Sequence, residues 1–320
     1  MDVHPLKLKV RSYAAETPFI RSLVFDVEAG VVPRWQAGAH IRVALPNGGD
    51  RPYSLMTLPG LPEGALALGV LREEVSTGGS QFMHALKIGD VVKASMPVNN
   101  FYLHEGTAPA LLFAGGIGVT PILSMAAELT ARANPFRLHY AGRTQGLLAF
   151  LPHLREICAK GLPKDLSIHC DNDASRLDIA AALGDAAANS HIYVCGPAGL
   201  IEAVKAAALA VGVPADRIHY ELFKAEQPGS PDRPFEVELK STGQVVTVTA
   251  GQTIIQALEA AGLDVLYDCQ RGDCGICQCG VISGTPDHRD VILSDDEKAS
   301  NKIMQICVSR AKSQRLVLDL

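Results

Sequence analysis

Tyr267-Asp268-Cys269-Gln270-Arg271-Gly272-Asp273-Cys274-Gly275-Ile276-Cys277 carries three cysteines in a Cys-x4-Cys-x2-Cys run. A fourth, Cys307, follows after 29 residues (278–306). Three thiolates on one tight loop and one from a distant segment are the plant-type [2Fe–2S] spacing. Gly272 and Gly275 give such a loop the backbone freedom to close around two irons. A structural zinc site is disfavoured, because there is a single Cys-x2-Cys pair and the last gap is long. Cys279 lies two residues past Cys277. A Cys-x-Cys pair would strain a four-thiolate cluster, so Cys277 takes the ligand position and Cys279 reads as a buried free thiol. The expected metal ligands are Cys269, Cys274, Cys277 and Cys307. A one-electron centre late in a chain needs an electron source, which the preceding residues must supply.

The chain has 320 residues, enough for two or three domains. Its net charge is −5 (29 basic, 34 acidic) without a basic block, which weighs against a nucleic-acid partner. No apolar run reaches the length of a membrane span, so none is expected. The start Met1-Asp2-Val3-His4-Pro5 is not followed by an apolar signal core, so a secretory leader is not expected either. Cys158, Cys170, Cys195 and Cys279 show no disulfide framework, and a reducing cytoplasm is the expected location. There is no His-Glu-x-x-His pair and no Gly-x-Ser-x-Gly elbow, so hydrolase chemistry has no motif to stand on.

Residues 1–104 read as short alternating strands such as Leu6-Lys7-Leu8-Lys9-Val10 and Leu23-Val24-Phe25-Asp26-Val27, separated by turns such as Pro46-Asn47-Gly48-Gly49. That spacing predicts a small antiparallel barrel. Within it, Arg51-Pro52-Tyr53-Ser54 combines a guanidinium suited to a phosphate, an aromatic face and a hydroxyl. Taken singly these are equally a surface Arg and a packed Tyr. Gly78-Gly79-Ser80 precedes a helix-like stretch, Gln81 to Leu86, with Ser80 the expected N-cap and free amides beside it.

Residues 105–225 alternate strand and helix. Pro109-Ala110-Leu111-Leu112-Phe113-Ala114 is a continuous apolar run, as in a central parallel strand. It runs into Gly115-Gly116-Ile117-Gly118-Val119-Thr120-Pro121, with Thr120 the expected N-cap and Pro121 the first helical residue. Glycines there let a pyrophosphate approach a positive helix end. Further strands end at Gly142-Arg143-Thr144, at Asp171 and at Cys195-Gly196-Pro197. Such alternation predicts a doubly wound sheet with ligands beyond its carboxyl ends. Asp171 is a candidate to accept from ribose hydroxyls, which would favour NADH, and equally an exposed strand-end acid, while nearby Arg176 keeps NADPH open. Residues 226–232 are rich in Pro and Gly and read as a linker. In 233–320, a hairpin (Phe235 to Val248, turning at Thr242-Gly243) leads to a helix capped by Thr253 and ended by Gly262.

Together these motifs resemble the ferredoxin–NADP reductase superfamily, and the Gly-Gly-Ser version resembles its FMN branch, the phthalate dioxygenase and vanillate O-demethylase reductases. The resemblance covers almost the whole chain. It implies an antiparallel flavin-binding β-barrel, a doubly wound α/β nicotinamide-binding domain and a C-terminal β-grasp ferredoxin domain. It implies Arg51 and Ser80 near the FMN phosphate, with the amides of Gly78, Gly79 and Gln81. Tyr53 and Ser54 would follow the ring and ribityl chain, and Val70, Leu71 and Arg72 would line the ring. Gly115, Gly116, Gly118 and Thr120 would meet the dinucleotide pyrophosphate, and Arg143 its phosphates or ribose. Cys195, with Gly196 and Pro197, would stand by the nicotinamide and Phe223 against the flavin, so Ser54, Cys195 and Phe223 are the expected catalytic residues.

The implied activity is that of a monomeric reductase. Electrons would pass from NADH to FMN, then singly through the [2Fe–2S] cluster to a terminal Rieske-type oxygenase of an aromatic-ring-hydroxylating or O-demethylating system. Gln270, Arg271 and Asp273 are candidate partner contacts, and equally solvated loop residues. Two other classes stay open: a stand-alone NAD(P)H flavin or quinone reductase, and a non-enzymatic redox sensor.

Overall fold

The computed structural model describes the chain except residues 1–3, 32–33, 47, 74–77, 160–165, 185, 187, 224–231, 268–269, 271, 273 and 291, and the side chain of 295. Two compact units result, Met1–Glu221 and Leu222–Leu320.

The first unit opens with strands β1 (Leu6–Ala15), β2 (Ile20–Ala29), β3 (Ala39–Ala44), β4 (Asp50–Ser54) and β5 (Leu66–Leu71). Helix α1 (Gly79–Ala85) and strands β6 (Val91–Ala94) and β7 (Val98–Asn99) follow. The sheet order is β4-β3-β6-β1-β2-β5, antiparallel throughout the registered pairs, with β7 added beside β3. The bridge Leu55↔Leu68 joins the end of β4 to β5 and closes the barrel. Alternation does the sorting: Leu6, Leu8 and Val10 of β1 are buried while Lys7 and Lys9 are exposed. The expected cap at Ser80 is corrected. The helix starts at Gly79, with Gly78 (φ 104°) at its N-cap. Ser80 lies inside the helix, where its Oγ accepts from the Glu73 amide at 3.1 Å. A positive φ that only glycine adopts at low cost moves the helix start forward.

The chain then alternates β8 (Ala110–Gly115), α2 (Val119–Ala131), β9 (Phe136–Gly142), α3 (Leu151–Cys158), β10 (Leu166–Cys170), α4 (Ile179–Gly184), β11 (His191–Gly196), α5 (Ala198–Ala210) and β12 (Ile218–Leu222). The sheet order is β10-β9-β8-β11-β12, parallel in the registered pairs, with β8 central and buried at every position. Thr120 is also corrected as a cap. A 3-10 turn over Gly116–Gly118 brings the chain into α2 at Val119, with Gly118 at the N-cap, two residues earlier. Thr120 is buried, and its hydroxyl donates back to the Ile117 carbonyl at 3.1 Å.

Histidines gather at the opposite, amino edge of this sheet. His104 stacks on His191 with centroids 4.0 Å apart, and His191 Nδ1 lies 3.0 Å from His219 Nε2. Burial, and then the charges of His191 and His104, pull His219 from its usual 6.5 to about 4. The unfolded chain therefore binds a proton at His219 that the folded one refuses, so stability falls as pH drops from about 6.5 to about 4. The thermal midpoint should fall over that window, and less steeply in His219→Gln; parallel profiles for the two proteins would refute this.

The second unit contains β13 (Phe235–Leu239), β14 (Val245–Val248), α6 (Ile254–Ala260), β15 (Gln278–Ser283), β16 (Pro286–Asp287), α7 (Asp295–Ser300), β17 (Ile303–Gln305), β18 (Arg310–Ala311) and β19 (Arg315–Leu318). The predicted hairpin forms, and the first and last strands, β13 and β19, run parallel at its side. The order β14-β13-β19-β15-β17, with α6 packed on the sheet, is a β-grasp. Thr253 caps α6 as expected, in a capping box with Gln256, and Gly262 (φ 78°) follows its end.

Candidate functional site

At the barrel corner, β4 presents Arg51, Tyr53 and Ser54. A Cβ on Gly79 would lie 2.6 Å from Arg51 Cγ and 3.4 Å from the Tyr53 hydroxyl. The Gly-Gly-Ser turn thus rests directly on Arg51 and Tyr53, residues 26 or more positions away in sequence (79 − 53 = 26). The neighbouring carboxylate of Asp50 is engaged elsewhere. Arg42 Nε donates to it at 2.8 Å and His4 Nε2 lies 2.9 Å away. Burial alone would raise the Asp50 carboxyl, but these partners outweigh it and hold it below its usual value. Arg51 donates instead to the Asp50 main-chain carbonyl at 2.7 Å. Burial pushes the Tyr53 phenol well up, so it stays neutral. Ser54 is buried at the end of β4, and Val70 and Leu71 close β5, with the Arg72 amide donating to Phe19 O at 2.8 Å. Gln81 is exposed on α1.

Barrel and α/β sheet meet within the same unit. A Cβ on Gly69 of β5 would sit 2.6 Å from Thr120 Cγ2 and 3.0 Å from Phe150 Cζ. Ser124 of α2, fully buried, accepts from the Thr57 amide at 3.0 Å and donates to Leu55 O at 2.9 Å. The sequence reading missed both residues. A lone serine within the apolar stripe of a helix was the available signal.

At the strand ends of the α/β sheet the glycines have different surroundings. The Gly118 Cβ position lies 2.2 Å from Cys195 O, and that of Gly115 lies 2.7 Å from Pro197 Cδ and 3.3 Å from Gly196 Cα. These two glycines are required by packing of one strand end on another. Gly116 differs: its φ is 52° and nothing lies within 4 Å of a Cβ there. Buried Tyr140 donates to the Gly116 carbonyl at 3.1 Å. The Ile117 N–H of the same trans peptide therefore points the opposite way, out of the core. The register Cys170↔Gly142 puts exposed Asp171 and Arg143 at adjacent strand ends, and the Asp171 amide donates to Gly142 O at 3.0 Å. Cys195, next to last in β11, has no exposed surface, so it touches a ligand only after local rearrangement. Phe223 is half-buried in the second unit.

In that second unit, the register Gln278↔Gln305 brings Cys277 and Cys307 to one end of the sheet, both buried, with the Ile306 amide donating to Cys277 O at 3.3 Å. Gly272 (φ 81°) has its Cβ position 2.6 Å from Val308 Cγ2 and 3.0 Å from Asp290 Cα, so the loop lies against the residue after Cys307. Cys274 is partly exposed. Cys269, Arg271 and Asp273 lie outside the described residues. Gln270 adopts a positive φ of 54°. Cys279 donates to Gly280 O at 3.4 Å, and burial pushes its thiol up to about 11, which suits an inert core thiol. Soft, buried thiolates around a glycine-bent loop fit a [2Fe–2S] cluster. The open Gly116 turn fits a pyrophosphate, and the Arg51–Tyr53–Gly79 corner fits a flavin phosphate end.

A barrel, a doubly wound sheet and a β-grasp unit bearing these sites define an electron-transfer oxidoreductase of the ferredoxin–NADP reductase type. Comparison with known proteins narrows the class. Residues 112–206 match the oxidoreductase NAD-binding domain and residues 237–312 the 2Fe-2S iron-sulfur cluster binding domain. The chain is 45% identical over 297 residues to a vanillate O-demethylase oxidoreductase from a Pseudomonas species, covering 92% of each. It is 40% identical to a tetrachlorobenzoquinone reductase from Sphingobium chlorophenolicum, covering 94% of each. The structure of phthalate dioxygenase reductase superposes with a TM-score of 0.79 at 34% identity, covering 98% of each chain. The chain belongs to this family of reductases, whose cofactors are NADH, FMN and a [2Fe–2S] cluster.

Proposed function

We propose that this chain is the NADH-dependent reductase component of a multicomponent oxygenase, delivering single electrons to a terminal Rieske-type partner. One observation carries the reading: the open Gly116 turn and the buried Cys277–Cys307 pair occur on one chain with the Arg51 corner. When bound, NADH supplies an electron pair, FMN splits it, and the cluster carries one electron at a time near about −400 mV, low enough for a Rieske centre.

The chain's residues position these groups. Arg51 neutralises the FMN phosphate through charge-assisted hydrogen bonds, with the amides of Gly78, Gly79, Ser80 and Gln81 beside it. Ser54 and neutral Tyr53 hold the ring and ribityl edge, and Val70, Leu71 and Arg72 border the ring. Gly116 and the outward Ile117 amide receive the pyrophosphate, while Arg143 and Asp171 bind phosphate and ribose. Gly196 and Pro197 would hold the strand end at the nicotinamide with Cys195 buried beside them, and Phe223 would cover the flavin face. Cys269, Cys274, Cys277 and Cys307 hold the irons. A cytoplasmic monomer belongs to this reading, since ligand thiols need a reducing compartment.

Arg51→Gln removes a charged hydrogen bond worth about 1.5–3 kcal/mol and should weaken FMN binding by about 10–100-fold, read by fluorescence titration of the apoprotein. Unchanged affinity would dismiss Arg51 as the phosphate ligand. The relative named for quinone reduction favours a second reading, a quinone reductase. Turnover with a Rieske oxygenase, compared with turnover with quinone, decides between them. Quinone reduction that survives loss of the cluster, with no transfer to any Rieske protein, would overturn the oxygenase assignment.

A further inference from the structure

We infer that Gln305 is a positioning residue for the cluster: in the loaded protein its side-chain amide donates a hydrogen bond to the Cys277 thiolate and raises the cluster's reduction potential. The inference rests on the reading of Cys277 as a cluster ligand.

Gln305 is the polar exception in a buried run. Met304, Gln305, Ile306 and Cys307 are each at most 2% exposed, and Gln305 has no exposed surface. A buried amide is costly unless both its ends are bonded. Here both are. Oε1 accepts from Cys277 Sγ at 3.5 Å, and Nε2 donates to Gln278 Oε1 at 3.2 Å. The strands fix the contact. Gln278 of β15 faces Gln305 of β17 across an antiparallel pair, and Cys277 immediately precedes β15. The main chain of Gln305 also carries the next ligand segment, since the Ser309 amide donates to Gln305 O at 3.0 Å, just past Cys307.

The polarity of the contact belongs to the thiol form. A cysteine that ligates iron has lost its proton, so Oε1 would face a sulfur lone pair with nothing to accept. The two ends of a glutamine amide are nearly alike in size. Turning the amide over about its last torsion puts Nε2–H where Oε1 stands, directed at Sγ. The Gln278 side chain is exposed and turns with it, so the bond between the two amides persists with donor and acceptor exchanged. Reduction adds one negative charge to the cluster. A donor on a ligand sulfur therefore gains strength on reduction and favours electron uptake. Exchanging a neutral for a charged partner about doubles such a bond, which is about tenfold in an equilibrium constant. That is an upper bound, because the added charge is shared among irons and sulfurs.

The test uses the full-length holoprotein and two variants. Gln305→Met keeps the side-chain length and removes the amide. Gln305→Asn keeps an amide that is one methylene too short to reach Sγ. Anaerobic redox titration followed by electron paramagnetic resonance gives the cluster potential, and iron analysis gives occupancy. Pulsed resonance on reduced protein with nitrogen-15 in its glutamine side chains gives the coupling of those nitrogens to the cluster. The wild type should show a glutamine coupling that both variants lose. In both, the constant for one-electron reduction should fall about three- to tenfold, equivalent to about 30–60 mV, with iron content unchanged. An unchanged or raised potential would overturn the proposal. So would a lowered potential in variants that keep the coupling, which marks a change of polarity and not a lost bond. Absence of any glutamine coupling in the wild type overturns it without a variant. Cys277→Ser checks the ligand reading separately: iron and resonance retained there would overturn that reading instead.

Discussion

Cys274→Ser is expected to stop electron delivery beyond the flavin while NADH still bleaches the flavin at close to the wild-type rate. A serine hydroxyl is a hard, weakly acidic donor, and iron–sulfur clusters are held by thiolates. Losing even an outer partner of a ligand costs metal sites about 10–100-fold, so losing a ligand should cost more than about 100-fold in delivered electrons. Iron content and the cluster's visible absorbance should fall with it. The residues proposed for flavin and dinucleotide lie in the first compact unit, apart from Phe223, and Cys274 lies in the second, which is why the first half-reaction should persist. Cys279→Ser is the matched control. Its thiol is held up at about 11 and donates to a carbonyl, so iron content and electron delivery should stay near wild type. A cluster lost from Cys279→Ser and retained in Cys274→Ser would exchange the two residues' roles. Stopped-flow traces and iron analysis on the two proteins suffice.

The 2Fe-2S unit was legible because cluster-type cysteine spacing is largely local. So was the capping box at Thr253 and Gln256, a contact between near neighbours. The errors have a common cause. Ser80 and Thr120 are good caps by composition, but Gly78 and the Gly116–Gly118 turn start their helices sooner. Backbone geometry won over side-chain preference. What sequence could not show is contact between distant segments. Ser124 bridging to Leu55 and Thr57, Gly69 making room for Phe150, and Asp290 carrying Gly272 each depend on how separate elements pack. Asp232 reads as linker from the Pro and Gly residues before it, while its partners lie at 251, 289 and 310.

The glycine turn gives the sharpest separation of folding from binding. Gly118→Ala should destabilise the first unit, because its Cβ would lie 2.2 Å from Cys195 O and 2.6 Å from Gly196 N, both main-chain atoms. No side-chain rotation relieves that, so β8 and β11 must part at their carboxyl ends. Such overpacking costs about 3 kcal/mol or more. For a unit of this size, that lowers the apparent melting temperature by roughly 6–12 °C. Gly116→Ala meets nothing within 4 Å and suffers only the positive φ of 52°, a cost of about 1–2 kcal/mol. Its methyl, however, stands in the open turn beside the Ile117 amide, where a pyrophosphate would approach. Gly116→Ala should therefore fold with a small thermal shift and raise KM for NADH by about tenfold, the equivalent of roughly 1.4 kcal/mol of lost binding. Gly118→Ala should lose thermal stability first and activity as a consequence. Differential scanning calorimetry beside NADH-dependent flavin bleaching distinguishes them. If both variants melt like wild type and both bind NADH normally, the glycines serve neither purpose. If Gly116→Ala unfolds and Gly118→Ala only binds poorly, the division of labour between them is reversed, and the pyrophosphate belongs nearer Cys195.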